Sequence, residues 1–224
     1  MMEARRIEIN KIGKEHIFFD VNNQDSYFSS EEVKVVMDGC GSMPSSEVGT
    51  RLYSQFLQYY DGIKPSDFEG ITKNIFQEFR RISPDDNFFS SNFLFTILAC
   101  FEMKDEFIVF SCGDGYIITQ KEEEISFLKL DDGEYPKYYG YNFIENKKCL
   151  DLYKDGVDFE IRYFSKKEYT KVGVATDGLR FYEDLNHLEK NKLLVYFLQG
   201  KKAQIAMLIN RNKDVFKDDI TICF

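Results

Sequence analysis

The chain is 224 residues long, with 29 Lys and Arg against 38 Asp and Glu, a formal net charge of −9. Such an excess of carboxylates repels a phosphate backbone, so nucleic acid is excluded as an expected partner, while clustered acids would welcome divalent cations. No apolar run approaches the roughly 20 residues of a bilayer span, and the charged stretch Met1–Gly13 lacks the apolar segment of a secretory leader; a cytoplasmic protein without membrane contact is expected, folded as one domain over residues 1–224.

Val33–Met37, short and rich in β-branched residues, predicts a buried strand. Val48, Leu52, Phe56, Leu57 and Tyr60 recur at helical spacing and predict a helix over Ser45–Tyr60, with Ser45 or Ser46 as its N-cap. A second helix follows Pro65, with Phe68, Ile71, Ile75, Phe76 and Phe79 on its apolar side. From Phe93 the pattern changes. Phe93–Glu102, Glu106–Cys112, Tyr116–Gln120 and Ile125–Leu130 read as a meander of antiparallel strands. Phe159–Phe164 and Lys171–Thr176 add two more. Leu185–Leu198 and Lys202–Ile209 read as helices and Ile220–Phe224 as a last strand. Helices in two blocks, with strands between and around them, indicate an α+β layered fold in place of a parallel βαβ sheet.

Five cysteines (Cys40, Cys100, Cys112, Cys149 and Cys223) stand at no zinc-knuckle or redox spacing, and read as buried thiols in a reducing compartment. The two histidines, His16 and His187, are too few for a His-rich zinc site.

Asp-Gly occurs six times. At Asp61, Asp132 and Asp155 it follows polar or mixed segments and reads as turn chemistry. Asp38, Asp114 and Asp177 each end an apolar strand, and the pair Asp218-Asp219 stands just before the final one. Acids on four strand ends can meet at one edge of a sheet system, where hard cations such as Mg²⁺ or Mn²⁺ would relieve their repulsion. The spacing is equally compatible with a set of hairpin turns.

At these residues the sequence resembles the type-2C metal-dependent protein phosphatases, in order, over nearly the whole chain. The resemblance runs through Asn23-Gln24-Asp25-Ser26, Val35-Val36-Met37-Asp38-Gly39-Cys40-Gly41-Ser42, Phe95-Thr96, Cys112-Gly113-Asp114-Gly115, Val174-Ala175-Thr176-Asp177-Gly178 and Asp218-Asp219-Ile220-Thr221. It implies a four-layer α-β-β-α sandwich of two antiparallel sheets flanked by helices. It implies two or three Mn²⁺ or Mg²⁺ ions, with Asp38 bridging two of them, Gly39 offering its backbone carbonyl, and Asp177 and Asp218 completing the coordination of the first ion. Asp114 would share a weaker third ion with Asp177, Gln24 would reach the second ion through water, and Asp25 would support the set from behind. The activity implied is hydrolysis of phosphoserine and phosphothreonine in proteins by a hydroxide between the metals, with Asp38, Asp177 and Asp218 as the catalytic set. The substrate would be a phosphoprotein, and a Ser/Thr kinase the signalling partner.

Three positions depart from the pattern. Asp20 stands where the family commonly has a phosphate-binding Arg, although Gly13-Lys14-Glu15-His16 is similar to a compact bacterial branch without that Arg. Cys40 replaces a His found in animal members, and neutral Gln24 replaces a Glu. These departures keep open a catalytically silent, phosphatase-like binding module. Lys11, Lys14 and Arg51 are the candidates for phosphate binding, and His16 is either a leaving-group acid or structural. Cys40 is no tyrosine-phosphatase nucleophile, because position 46 holds Ser46 where that chemistry requires Arg. Glu122-Glu123-Glu124 reads as a solvated turn, and the short stretch from Asp132 to Lys171 implies a small flap.

Overall fold

The computed structural model describes residues 6–130, 136–145, 153 and 156–224. The turns expected at Asp132 and Asp155, Cys149 and much of the flap lie outside the described residues. In chain order the elements are β1 (Glu8–Lys11), α1 (Lys14–Phe19), β2 (Ser26–Ser29), β3 (Val33–Gly39), α2 (Ser46–Leu57), α3 (Pro65–Ile82), α4 (Asp86–Phe93), β4 (Phe95–Glu102), β5 (Glu106–Cys112), β6 (Gly115–Lys121), β7 (Glu124–Leu130), β8 (Glu160–Ser165), β9 (Lys171–Ala175), α5 (His187–Leu198), α6 (Lys202–Arg211) and β10 (Ile220–Cys223). Two 3-10 helices, Tyr139–Phe143 and Asp177–Asp184, join them.

Two five-stranded antiparallel sheets form, in the orders β1-β10-β9-β6-β7 and β2-β3-β4-β5-β8. Side chains alternate between the faces of a strand, and here both faces are covered. From β3, Val33, Val35 and Met37 join a cluster with Leu57 of α2, Phe76 and Phe79 of α3, and Phe93 of α4. The intervening Val36 turns the other way, into a cluster that draws Leu98 and Val109 from its own sheet and Ile117, Val172, Val174 and Cys223 from the other. The outer face of the β1-β10-β9-β6-β7 sheet packs Ile118, Ile220 and Ile222 against Leu193, Phe197, Ile205 and Leu208 of α5 and α6. These clusters are the three interfaces of a four-layer α-β-β-α sandwich, the architecture expected from the sequence. Aromatic rings fill the first of them: Phe79 stacks on Phe93 with centroids 4.4 Å apart, and Phe68 meets Phe101 and Phe110 at about right angles.

The structure corrects four points. The meander is divided: β4 pairs with β5 in one sheet and β6 with β7 in the other. The chain crosses between sheets at Gly113-Asp114-Gly115, where both glycines have positive φ (104° and 136°), a conformation that a Cβ makes costly. The strand expected from Phe93 starts at Phe95, because Asp85 caps the unanticipated helix α4, its side chain accepting the Phe88 N–H at 2.9 Å. Ser45 does stand at the N-cap position of α2, but its side chain makes no capping hydrogen bond, and Ser46 donates to the Cys40 carbonyl at 3.2 Å. The short β1, β2 and α1 add to the expected elements.

Asp61 and Gly62 do make a turn, and Glu122-Glu123 form the exposed connection of the β6–β7 hairpin. Cys40, Cys100, Cys112 and Cys223 are buried free thiols.

Candidate metal centre

Each acid of interest arrives where a strand meets a loop. Asp38 is the next-to-last residue of β3, opposite Thr96 in the register of β3 with β4. Asp114 rides the crossover between the sheets, and Asp177 follows β9 at the start of a 3-10 helix. Asp218 precedes β10, and Asp25 precedes β2. These ends meet at one edge of the sandwich, since the carboxylates of Asp25, Asp177, Asp218 and Asp114 all act electrostatically on Asp38.

The backbone around them is drawn tight. A Cβ on Gly13 would stand 2.2 Å from the Asp218 carbonyl carbon, and one on Gly178 would stand 1.8 Å from the Asp219 carbonyl oxygen. The Asp218-Asp219 segment thus passes between two glycines, and only the lack of side chains admits it. Asp219 is the anchor. It is 2% exposed, and its carboxylate accepts the Gly13 N–H at 2.8 Å, the Gln24 N–H at 2.6 Å and His16 Nδ1 at 2.8 Å. That single side chain ties α1, the loop before β2 and the start of β10 together. Thr176 does the same for β9: its hydroxyl donates to Asp25 Oδ2 at 2.7 Å and accepts the Thr221 N–H at 2.9 Å.

Burial, and then the neighbouring Asp25, Asp177, Asp218 and Asp114, push the Asp38 carboxyl well above the usual carboxylate range. Burial followed by Asp219 does the same to Asp25, and burial followed by Asp177 raises Asp218. His16 is raised as well, chiefly by its hydrogen bond to Asp219. Like charges held together out of water resist ionisation unless a cation joins them. Two buried oxygens, Gln24 Oε1 and Asp25 Oδ1, have no hydrogen-bond partner. Hard oxygen donors, mutual repulsion and unsatisfied acceptors are the chemistry that Mg²⁺ or Mn²⁺ suits. Among the described residues, no three His, Cys, Asp or Glu side chains stand together so as to hold an ion as they are. The acids converge without closing. Arg180 stands among them, one nitrogen on Asp177 Oδ2 and the other 3.2 Å from Asp218 Oδ2.

The candidates chosen from the sequence therefore meet: Asp38, Gly39, Asp114, Asp177 and Asp218 share one edge. Gly39 also admits no side chain, as its Cβ would fall 2.5 Å from Ser46 Oγ. The phosphate-binding candidates do not join them in this way. Lys14 pairs with Asp214 at 2.7 Å, Arg51 donates to the Asn23 carbonyl at 3.3 Å, and Lys11 lies on β1. His16 is held by Asp219, while His187 is exposed and contacts Asn191. Cys40 is buried with its sulfur 3.2 Å from Ser42 Oγ. Thr96 Oγ1 is buried without a hydrogen-bond partner, whereas Thr176 has Asp25.

Two residues were missed. Asp219 was signalled by its place beside Asp218, since consecutive residues entering a strand face opposite ways and one of the pair had to turn inward. Arg180 was signalled by its spacing of three from Asp177, which stacks side chains on a 3-10 turn.

The Protein phosphatase 2C family model matches residues 12–203. No curated protein matches the sequence. Among solved structures, the serine/threonine phosphatase Stp1 from Staphylococcus aureus superposes with a TM-score of 0.61 at 15% identity, over 100% of this chain and 94% of that one. The Mycobacterium tuberculosis serine/threonine phosphatase PstP/Ppp gives 0.62 at 14% identity, over 98% and 96%. A catalytic domain of the serine/threonine phosphatase PstP, in complex with two manganese ions, gives 0.64 at 14%, again over 98% and 96%. At such identities the likeness establishes the shared fold, and it is the family model, spanning most of the sequence, that establishes kinship: the chain belongs to the protein phosphatase 2C family.

Proposed function

We propose that this protein is a metal-dependent phosphomonoester hydrolase acting on phosphoserine and phosphothreonine in proteins. The observation that carries the reading is the meeting of Asp38, Asp114, Asp177 and Asp218 at one edge of the sandwich, with Asp38 pressed by the other three. Asp38, Asp177 and Asp218 would hold a first Mn²⁺ or Mg²⁺, Asp38 would reach a second, the Gly39 carbonyl would serve as a further ligand, and Asp114 with Asp177 would hold a weaker third. When bound, such ions supply an activated water and neutralise charge on the phosphoryl oxygens.

The chain's own residues prepare that chemistry. Asp38 gives up its proton readily only when positive charge arrives, because burial and its neighbours disfavour the bare anion. Thr176 fixes Asp25 behind it, and Asp219 fixes the backbone that presents Asp218. Cys40 is buried and has Ser46 where a thiol phosphatase needs Arg, so this chain has no cysteine nucleophile to phosphorylate at that position.

Hydrolysis of an aryl phosphate should require Mn²⁺ or Mg²⁺, cease with a chelator, and fall by about two to three orders of magnitude in Asp38→Asn and Asp177→Asn. Phosphopeptides should be turned over in preference to nucleotides and sugar phosphates; the reverse order would reassign the substrate class.

A second reading, the silent binding module, is favoured by Asp20 in place of an Arg and by the neutral Gln24. Absence of turnover across both metals and all three substrate classes would select it. The phosphatase reading entails a phosphoprotein substrate and a Ser/Thr kinase acting on it as partners, and the cytoplasm as its compartment; no helix among the described residues is long and apolar enough to cross a membrane.

A further inference from the structure

Arg180 lies three residues beyond Asp177 in the 3-10 helix Asp177–Asp184, a spacing that places one side chain above the other. Its guanidinium spans two carboxylates. One nitrogen donates to Asp177 Oδ2, and the other donates to Asp218 Oδ2 at 3.2 Å. The same group lies over the Phe181 ring, 4.8 Å from its centroid, which holds the fork from behind. The side chain is 47% exposed, so it stands at the mouth of the acid cluster and can leave it without disturbing the core.

The two carboxylates bridged are those assigned above to the first divalent ion. Arg180 contacts both carboxylates of the pair directly. His16 is already committed to Asp219. Arg180 is thus the charge that makes the Asp177–Asp218 pair tolerable. A divalent ion would bind those oxygens at about 2.0–2.1 Å for Mg²⁺. A divalent ion on those oxygens would draw on the same lone pairs as the guanidinium and repel it at short range, so the two cations disfavour each other there.

We infer that Arg180 is a resident counter-cation that competes with the divalent ion for the Asp177–Asp218 pair, and so sets the metal affinity of the centre. The inference rests on the metal reading of the site and assigns a role to a side chain that reading does not use. Arginine suits the task, because its planar fork engages two carboxylates together while remaining charged at any accessible pH.

The test is calorimetric titration of Mn²⁺ into the metal-stripped full chain, wild type against Arg180→Ala, Arg180→Gln and Arg180→Lys. Removing the charge should tighten Mn²⁺ binding by about 2- to 5-fold, the range expected for an ion pair at a partly exposed site. Arg180→Lys, which keeps the charge and loses the fork, should fall between. Arg180→Gln keeps most of the bulk and guards against a packing effect of alanine. Thermal unfolding gives a second readout: without metal the Ala and Gln variants should melt below wild type, and saturating Mn²⁺ should erase or invert the difference. Equal Mn²⁺ affinity in wild type and both neutral variants overturns the competition and leaves the metal centre standing. Weaker binding in the neutral variants also overturns it, making Arg180 a support of the site. No binding by any of the four proteins removes the metal centre and the competition with it.

Discussion

Thr176 shows how much one hydroxyl can carry at this site. It is fully buried, donates a hydrogen bond to Asp25 and accepts one from the Thr221 amide, so a side chain just after β9 satisfies groups on two other segments. Thr176→Val preserves the shape and strands both partners. The expected loss is about 1–3 kcal/mol of unfolding free energy, measured by denaturant titration, with Thr176→Ser retaining most of it. A loss below about 0.5 kcal/mol would mean that neither bond matters. Residue type alone does not separate Thr176, just after β9, from Thr96, near the start of β4, whose hydroxyl has no hydrogen-bond partner. The difference is the position of Asp25, 151 residues away in sequence.

At the level of elements, long periodic segments were legible and short ones were not. α3 was visible because Phe68, Ile75, Phe76 and Phe79 repeat on one face behind a leading proline. α4 was hidden because its eight residues, Asp86–Phe93, run directly into β4, and an aromatic run can belong to either. What distinguishes it is the cap. Asp85→Ala should cost about 1 kcal/mol in thermal or chemical unfolding, whereas Ser45→Ala, at a position without a capping bond, should cost less than about 0.5 kcal/mol. Equal costs would show that the geometry of these helix ends does not govern their stability. The split of the expected meander has a similar origin. Strand patterns fix which residues face inward, but not which neighbour a strand chooses, and it is the Gly113-Asp114-Gly115 crossover that sends β6 to the other sheet.

For the whole molecule, the concentration of acids at one edge makes stability depend on pH. Asp25, Asp38 and Asp218 hold their protons more firmly when folded than when unfolded. From about pH 4 upward the unfolded chain sheds protons that the native state keeps, so native stability declines as pH rises through the raised values. His16 adds to the trend with the same sign. Its raised pKa contributes stability that is complete below about pH 6.5 and disappears as pH climbs through its folded value. The surface pair Lys14–Asp214 acts oppositely, and only as pH falls through the ordinary carboxylate range. Metal-free protein should therefore melt at a lower temperature at pH 8 than at pH 5. His16→Asn should flatten the decline above about pH 6.5, and Mn²⁺ should flatten the whole of it. A melting temperature that rises over that interval without metal would contradict the arrangement of charges described here.

The sequence by itself determined the layered α+β fold, the buried faces of most strands and the identity of the acids, because periodicity and the placing of Asp at strand ends are local properties. Only the tertiary structure decided that these acids share an edge, that Asp219 anchors three segments from beneath, and that Arg180 lies across Asp177 and Asp218. Those facts depend on approaches between segments up to about 200 residues apart, as in Gly13 and Asp219 at a separation of 206, and no pattern along the chain records a distance through space.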